Sequence, residues 1–235
     1  MEKVLIERDR ILKLLAGKLN GLYLAGGTAL SSFYFHHRES YDLDFFTKEF
    51  SRPKVEKIIS DLAEVAGRKI ELVREEDRKD RARVMIYHLL LGEADLLKID
   101  FVEDVYDLIK PTKIIDGIPV LSIEDIYIRK IFAACGSHRT SDLTGREVFA
   151  SGRQTVRDFF DLYFLSITFR PLSKFAFEFF SAPQRESIVV WYRTYSRSSM
   201  QHDILDIVTD KKVCFRDMDN HFKHEVDQII KKEFE

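Results

Sequence analysis

Three observations place this chain in the α/β (α+β) class. Short apolar runs punctuated by turn residues fill the chain up to Leu121, helix-spaced apolar residues are interleaved with them, and from Ser122 onward helical patterning takes over. The expected layout is a mixed β-sheet flanked by helices over residues 1–121 and a helical region over residues 122–235.

Leu5, Ile11, Leu12, Leu15 and Leu19 recur at near-helical spacing, which predicts an opening amphipathic helix within residues 4–19. Gly21-Leu-Tyr-Leu-Ala25 is an apolar run closed by Gly26-Gly27, hence a strand ending in a tight turn. Thr28, a good N-cap, is expected to begin a helix through Ala29, Leu30, Phe33 and Tyr34. Residues 41–46 read as a second strand, and Pro53 opens a helix through Ala66. Strand-like stretches follow at 69–74, 83–91 and 95–102, the first two joined by a charged tip at 74–81. Asp116-Gly117, within residues 114–121, is a hairpin-turn signal. Ser122-Ile-Glu-Asp125 has the form of a capping box before an apolar stripe. Residues 136–152, rich in Gly, Ser and Thr, are expected to form a flexible solvated loop, in which His138 and Arg139 would contact substrate only if it borders the cleft. Three or more helices are expected to fill residues 153–235.

Composition excludes several classes. With 45% hydrophobic and 32% charged residues among 235, the chain can bury a core and is not of disordered type. A formal charge of -2 neither implies nor excludes a nucleic-acid partner. The two cysteines, Cys135 and Cys214, form no CxxC, which argues against a zinc site or disulfide framework and fits a reducing cytoplasm. The charged N-terminus lacks the form of a signal peptide, and no apolar run approaches the roughly 20 residues that span a bilayer. The expected location is cytoplasmic, with no membrane partner.

The chemistry centres on Gly26-Gly27-Thr28 followed by Asp42-Leu43-Asp44. Glycines lack a Cβ, so backbone amides in a strand–GG–helix turn can approach phosphate oxygens closely, and the Thr28 hydroxyl can donate as well. Residues two apart on a strand face one side, so Asp42 and Asp44 point together. Adjacent carboxylates repel unless a proton or cation lies between them, and magnesium is a hard cation suited to both carboxylates and phosphates. A third carboxylate on a neighbouring strand would complete a two-metal site, and Asp100 in Leu97-Lys-Ile-Asp-Phe-Val102 has that setting. An Asp-x-Asp alone is common in a chain with 39 acidic residues; Asp217-Met-Asp219 is another, read as a helix surface or cap. What singles out the first is the preceding Gly-Gly-Thr turn and the later strand Asp. Arg38 and Ser40 precede the Asp strand within reach of a phosphate or of Asp44. His36 and His37 are read as structural or solvent-facing, since magnesium prefers oxygen.

Gly26-Gly-Thr-Ala-Leu30, then His37-Arg-Glu-Ser-Tyr-Asp-Leu-Asp-Phe-Phe46, resembles the signature of the AbiEii/AbiGii-type nucleotidyltransferases, members of the DNA polymerase beta-like superfamily. Lys130 in Arg129-Lys-Ile-Phe-Ala-Ala134 and the element Arg157-Asp-Phe-Phe-Asp-Leu162 match further family motifs, so the likeness covers roughly residues 20–165. The resemblance implies a nucleotidyltransferase core whose helical region completes the active-site cleft. It implies that Gly26, Gly27, Thr28, Arg38 and Ser40 serve nucleotide binding and that Asp42, Asp44 and Asp100 hold two Mg2+ ions. Lys130 would meet phosphate charge, and Asp158 and Asp161, three apart on a helix face, would orient Lys130 or the acceptor. A surface face or an ion pair with Arg153 and Arg157 is the alternative, on equal footing for Asp161.

The expected reaction moves a nucleoside monophosphate from a nucleoside triphosphate to an acceptor hydroxyl, with release of pyrophosphate. The acceptor is expected to be RNA, tRNA ends included, or protein. Many proteins of the resembling family are toxins of toxin–antitoxin or phage-defence systems, which would bring an antitoxin partner. Two rival readings stay open at this point: a catalytically silent protein that binds nucleotide or a partner, and a metal-dependent phosphohydrolase.

Overall fold

The computed structural model describes residues 2–78, 81–92, 95–136, 138–141, 145, 147–150 and 152–235. The chain divides into two compact units, Met1–Ile126 and Tyr127–Glu235.

The first unit is built on one mixed sheet of seven strands, ordered β3-β4-β5-β2-β1-β7-β6. Its elements are α1 (Glu2–Leu15), β1 (Tyr23–Leu24), α2 (Gly26–Ala29, continuing as a π-helical stretch Leu30–Phe35), β2 (Leu43–Thr47) and α3 (Arg52–Ala66). Then follow β3 (Ile70–Glu76), β4 (Val84–Leu90), β5 (Leu96–Glu103), β6 (Lys113–Ile115) and β7 (Ile118–Val120). The central pair β2 and β5 is parallel, as is β1 with β7, and the remaining pairs are antiparallel.

Alternation sorts the strand residues between two faces. Leu43 and Phe45 of β2, Met85, Tyr87 and Leu89 of β4, and Leu97, Ile99 and Phe101 of β5 are all buried. Packed together, α1 and α3 add Ile11, Leu12, Leu15, Val55, Ile59 and Leu62 to this core. The other residues of the same strands, Asp44, Phe46, Ile86, His88, Lys98 and Asp100, share the opposite face. The sheet edge β3 is protected by a bulge between Leu72 and Arg74 and by charged side chains, which discourages strand addition.

Turn chemistry follows the sequence closely. Asp116 (φ 49°) and Gly117 (φ 76°) both take left-handed backbone, as a two-residue hairpin turn between β6 and β7 requires. Pro53 lies in the first turn of α3, and Gly67 ends that helix with φ 63°.

The second unit is helical apart from one hairpin. Helix α4 (Ile123–Cys135) spans the division and is followed by β8 (His138–Ser141) and β9 (Glu147–Ala150), paired antiparallel. Next come α5 (Val156–Phe164, continuing as a π-helical stretch Leu165–Phe169), α6 (Leu172–Phe179), α7 (Ala182–Thr194), α8 (Arg197–Asp203) and α9 (Phe215–Glu233). Aromatic packing forms the core of this unit: the Phe159 ring contacts Trp191, Tyr195, Phe215 and Phe222, and Tyr127 stacks on Phe175 with centroids 4.1 Å apart.

Four expectations need correction. The expected loop over residues 136–152 contains the β8–β9 hairpin: Thr140, Val148 and Phe149 favour strand, which the Gly, Ser and Thr count concealed. The side chains of His138 and Arg139 lie outside the described residues. Thr28 is not the N-cap of α2; Ala25 holds that position, and Gly26 turns the chain with φ 68°. The strand expected from residue 41 begins at Leu43, so Asp42 precedes it. At the charged tip, β3 runs on to Glu76, and residues 79 and 80 lie outside the described part.

Candidate active site

In the first unit, the turn after β1 and the strand β2 meet side by side. Ala25 N donates to Asp44 O at 2.8 Å, so the Gly26-Gly27 turn lies against the Asp44 backbone. A Cβ on Gly26 would fall 2.2 Å from Asp44 Oδ2, and one on Gly27 would fall 2.5 Å from Arg38 Nη2. Gly26 is therefore needed both for its left-handed backbone and for close approach to Asp44, while a side chain at Gly27 would have to displace the end of Arg38.

Thr28 is fully buried and bonds in two directions. Its Oγ1 donates to the Asp42 carbonyl and pairs with Ser40 Oγ at 2.9 Å. Helix α2 is thus tied to the segment that delivers Asp42. Ser40 is held again from α1, where the buried Arg8 donates to the Ser40 carbonyl and to Asp9 Oδ1. Arg38 is buried, covers Gly27 and donates to Glu39 O at 2.9 Å. His36 is exposed in left-handed backbone (φ 48°), and His37 is fully buried with its ring edge against Phe35.

The carboxylates come together through sheet register. Asp44 on β2 and Asp100 on β5 are direct partners in the parallel ladder. Asp100 is buried, its Oδ1 has no hydrogen-bond partner among the described residues, and its Oδ2 accepts from Lys98 Nζ. Burial pushes the Asp100 carboxyl above the usual carboxylate range and the charge of Asp42 adds to this, while Lys98 draws it back only in part. Burial works against the Lys98 ammonium. Its bond to Asp100 and the charges of Asp100, Asp44 and Asp42 outweigh that and hold it above its ordinary value. His88 of β4 lies opposite Lys98 in the ladder.

The set of donors fits a divalent cation in kind. The charges of Asp42, Asp44 and Asp100 all act on Lys98, one buried Asp100 oxygen has no partner among the described residues, and the Gly26 turn lies directly against the Asp44 carboxylate. Among the described residues no three such side chains converge as a formed metal cluster. Asp100 is instead turned onto Lys98.

In the second unit, Lys130 of α4 is buried between two carboxylates of α5. Its Nζ lies 2.8 Å from Asp158 Oδ1 and 2.6 Å from Asp161 Oδ2. Arg153 Nε reaches Asp158 Oδ2 at 2.6 Å, and Thr155, the N-cap of α5, donates to the same oxygen at 2.8 Å. Burial opposes ionisation of Asp158, but Lys130 and Arg153 more than offset it and hold the carboxyl at about 2. The motif residues 130, 158 and 161 are therefore one buried ion-pair set.

Two contributors were not singled out from sequence, Lys98 and Arg8. Each carried a signal. Lys98 stands two residues before Asp100 on a strand, hence on its side of the sheet. Arg8 stands four after Val4 and three before Ile11, on the buried stripe of α1.

With the geometry in hand, relatives can be compared. Among curated proteins, none matches this chain. JHP933 from Helicobacter pylori, a solved structure 18% identical, has a TM-score of 0.59 over 100% of this chain and 96% of its own. MenT4, a nucleotidyltransferase toxin from Mycobacterium tuberculosis, is 15% identical with a TM-score of 0.50, covering 97% of this chain and 82% of its own. At such identities the likeness establishes the fold, a mixed sheet flanked by helices as expected. The sequence pattern of a family described as nucleotidyl transferase AbiEii toxin, type IV toxin–antitoxin system, matches residues 10–232. Because that match runs from α1 into the last helix, this protein belongs to the AbiEii family of nucleotidyltransferase toxins.

Proposed function

We propose that this protein transfers a nucleoside monophosphate from a nucleoside triphosphate to an acceptor hydroxyl and releases pyrophosphate, at the face that carries Asp42, Asp44 and Asp100. The observation that carries the reading is the pairing of Asp44 with Asp100 across β2 and β5, beside the Gly26-Gly27 turn. Three carboxylates in a common field are costly without a cation, and hard oxygen donors favour magnesium. When bound, such ions would neutralise phosphate charge and polarise the attacking oxygen.

The chain's own residues then position the reactants. Gly26 and Gly27 let the backbone approach the triphosphate, with Arg38 and Ser40 adjacent. Thr28 acts through Ser40 and the Asp42 carbonyl, because its hydroxyl is committed to both. As the third carboxylate, Asp100 aids the incoming hydroxyl. In the second unit, Asp158 and Asp161 hold the Lys130 ammonium in a buried ion-pair set of its own.

The acceptor is an RNA end, tRNA included, or a protein hydroxyl, and an antitoxin is the expected partner of a family toxin. No helix among the described residues is long and apolar enough to cross a membrane, which fits partners in solution. The test incubates the protein with each α-labelled nucleoside triphosphate, magnesium, total RNA and total protein, beside an Asp42→Ala, Asp44→Ala variant. Label moving to one polymer only with the unaltered chain supports the transferase and identifies the acceptor. Nucleotide binding with no transfer would support the catalytically silent alternative.

A further inference from the structure

Asp100 does not stand alone on its strand face. Lys98, two residues earlier on β5, points to the same side and donates directly to Asp100 Oδ2. The charges of Asp42 and Asp44 also act on that ammonium, beyond its direct bond to Asp100. Around it, His88 on β4 is its cross-strand neighbour, and Glu71 on β3 lies opposite His88. The Lys98 side chain is 34% exposed and that of Asp100 only 12%. The ammonium can therefore withdraw to solvent on its flexible stem, whereas the carboxylate cannot leave. Asp100 Oδ1 is meanwhile buried and has no hydrogen-bond partner among the described residues.

These facts describe a place held by a tethered cation. A divalent ion entering among Asp42, Asp44 and Asp100 meets Lys98 already bonded to one of the oxygens it would use. Two cations drawn to the same carboxylate repel each other, and the more weakly anchored one gives way. We propose that Lys98 is the resident counter-ion of the carboxylate cluster, holding Asp100 until a divalent metal displaces its ammonium. This rests on the reading that the three aspartates hold metal. It assigns Lys98 a positioning role: the cluster stays folded and charge-compensated without metal, at the cost of weaker metal binding.

The test measures Mn2+ binding to the full chain without nucleotide, by electron paramagnetic resonance of the free ion. Unaltered protein is compared with Asp44→Asn, Lys98→Met and Lys98→Arg. Binding should be lost in Asp44→Asn, tighten roughly tenfold in Lys98→Met and stay near the unaltered value in Lys98→Arg. The metal-free Lys98→Met protein should also melt at a lower temperature and recover on adding Mn2+. Lys98→Gln, with circular dichroism as the folding check, replaces the Met variant should that one fail to fold. Binding in Lys98→Met that is unchanged or weaker, with the unaltered chain still sensitive to Asp44→Asn, overturns the counter-ion role and leaves the metal reading standing. No Mn2+ binding by the unaltered chain, or binding indifferent to Asp44→Asn, overturns both.

Discussion

Asp44 and Asp100 face each other at one register point of a parallel strand pair, although 56 residues of sequence separate them, from position 44 to position 100. The pairing is a consequence of topology. The chain crosses from β2 through α3, β3 and β4 before β5 returns to lie beside β2. Like charges directly opposite on a sheet are destabilising, and Lys98, bonded to Asp100, offsets part of that cost.

Gly26 and Gly27 should respond differently to alanine. Gly26→Ala meets both left-handed backbone and the Asp44 carboxylate, and should cost about 1–3 kcal/mol together with most of the activity. Gly27→Ala meets the far end of the Arg38 side chain, which can move, so stability should fall by under about 1 kcal/mol. Urea unfolding of the two variants reads the difference.

Lys130→Met leaves two buried carboxylates without their lysine. Losing one partner of a buried ion pair costs about 3–5 kcal/mol, although Arg153 continues to serve Asp158. Denaturant unfolding should show that loss, and Asp161→Asn introduced beside Lys130→Met should recover part of it. A Lys130→Met protein as stable as the unaltered one would contradict the account of this set.

Acid should weaken the fold through Asp158. Its carboxyl is held at about 2, below the ordinary 3.8, so folding favours the ionised form. The resulting stability, about 2 kcal/mol, is complete above about pH 5 and is lost as pH falls through 3.8 towards 2. Urea midpoints measured from pH 6 to pH 3 should fall more steeply for the unaltered chain than for Asp158→Asn. Equal slopes would contradict this.

Gly117→Ala tests the hairpin before α4. At φ 76° an L-residue costs about 1 kcal/mol or more, and the new Cβ would approach Ala16 Cβ at 3.1 Å. A melting temperature lowered by a few degrees is the expected outcome.

What the sequence made legible was local. Pro53, Gly67 and the Asp116-Gly117 pair act through their own backbone angles, so α3 and the β6–β7 turn could be read without knowing the rest. Alternation in Leu97-Lys-Ile-Asp-Phe likewise assigned Asp100 a side of β5. What stayed hidden depends on distant partners. The β8–β9 hairpin is composed of residues that also suit a loop, and only pairing decides between them. Thr28 was expected to cap a helix because Thr often does, yet its hydroxyl is held by Ser40 and Asp42, far along the chain. Lys98 was passed over because one lysine on a strand carries no meaning until the carboxylates around it are known.

The most direct measurement is the phosphorus product formed by the chain with magnesium, each nucleoside triphosphate and the acceptor fraction, for the unaltered protein and for Asp44→Asn. Pyrophosphate should form in step with labelled acceptor, reduced about a hundredfold or more in Asp44→Asn while the variant stays folded. Orthophosphate in place of pyrophosphate, or turnover indifferent to Asp44, would contradict the transferase reading.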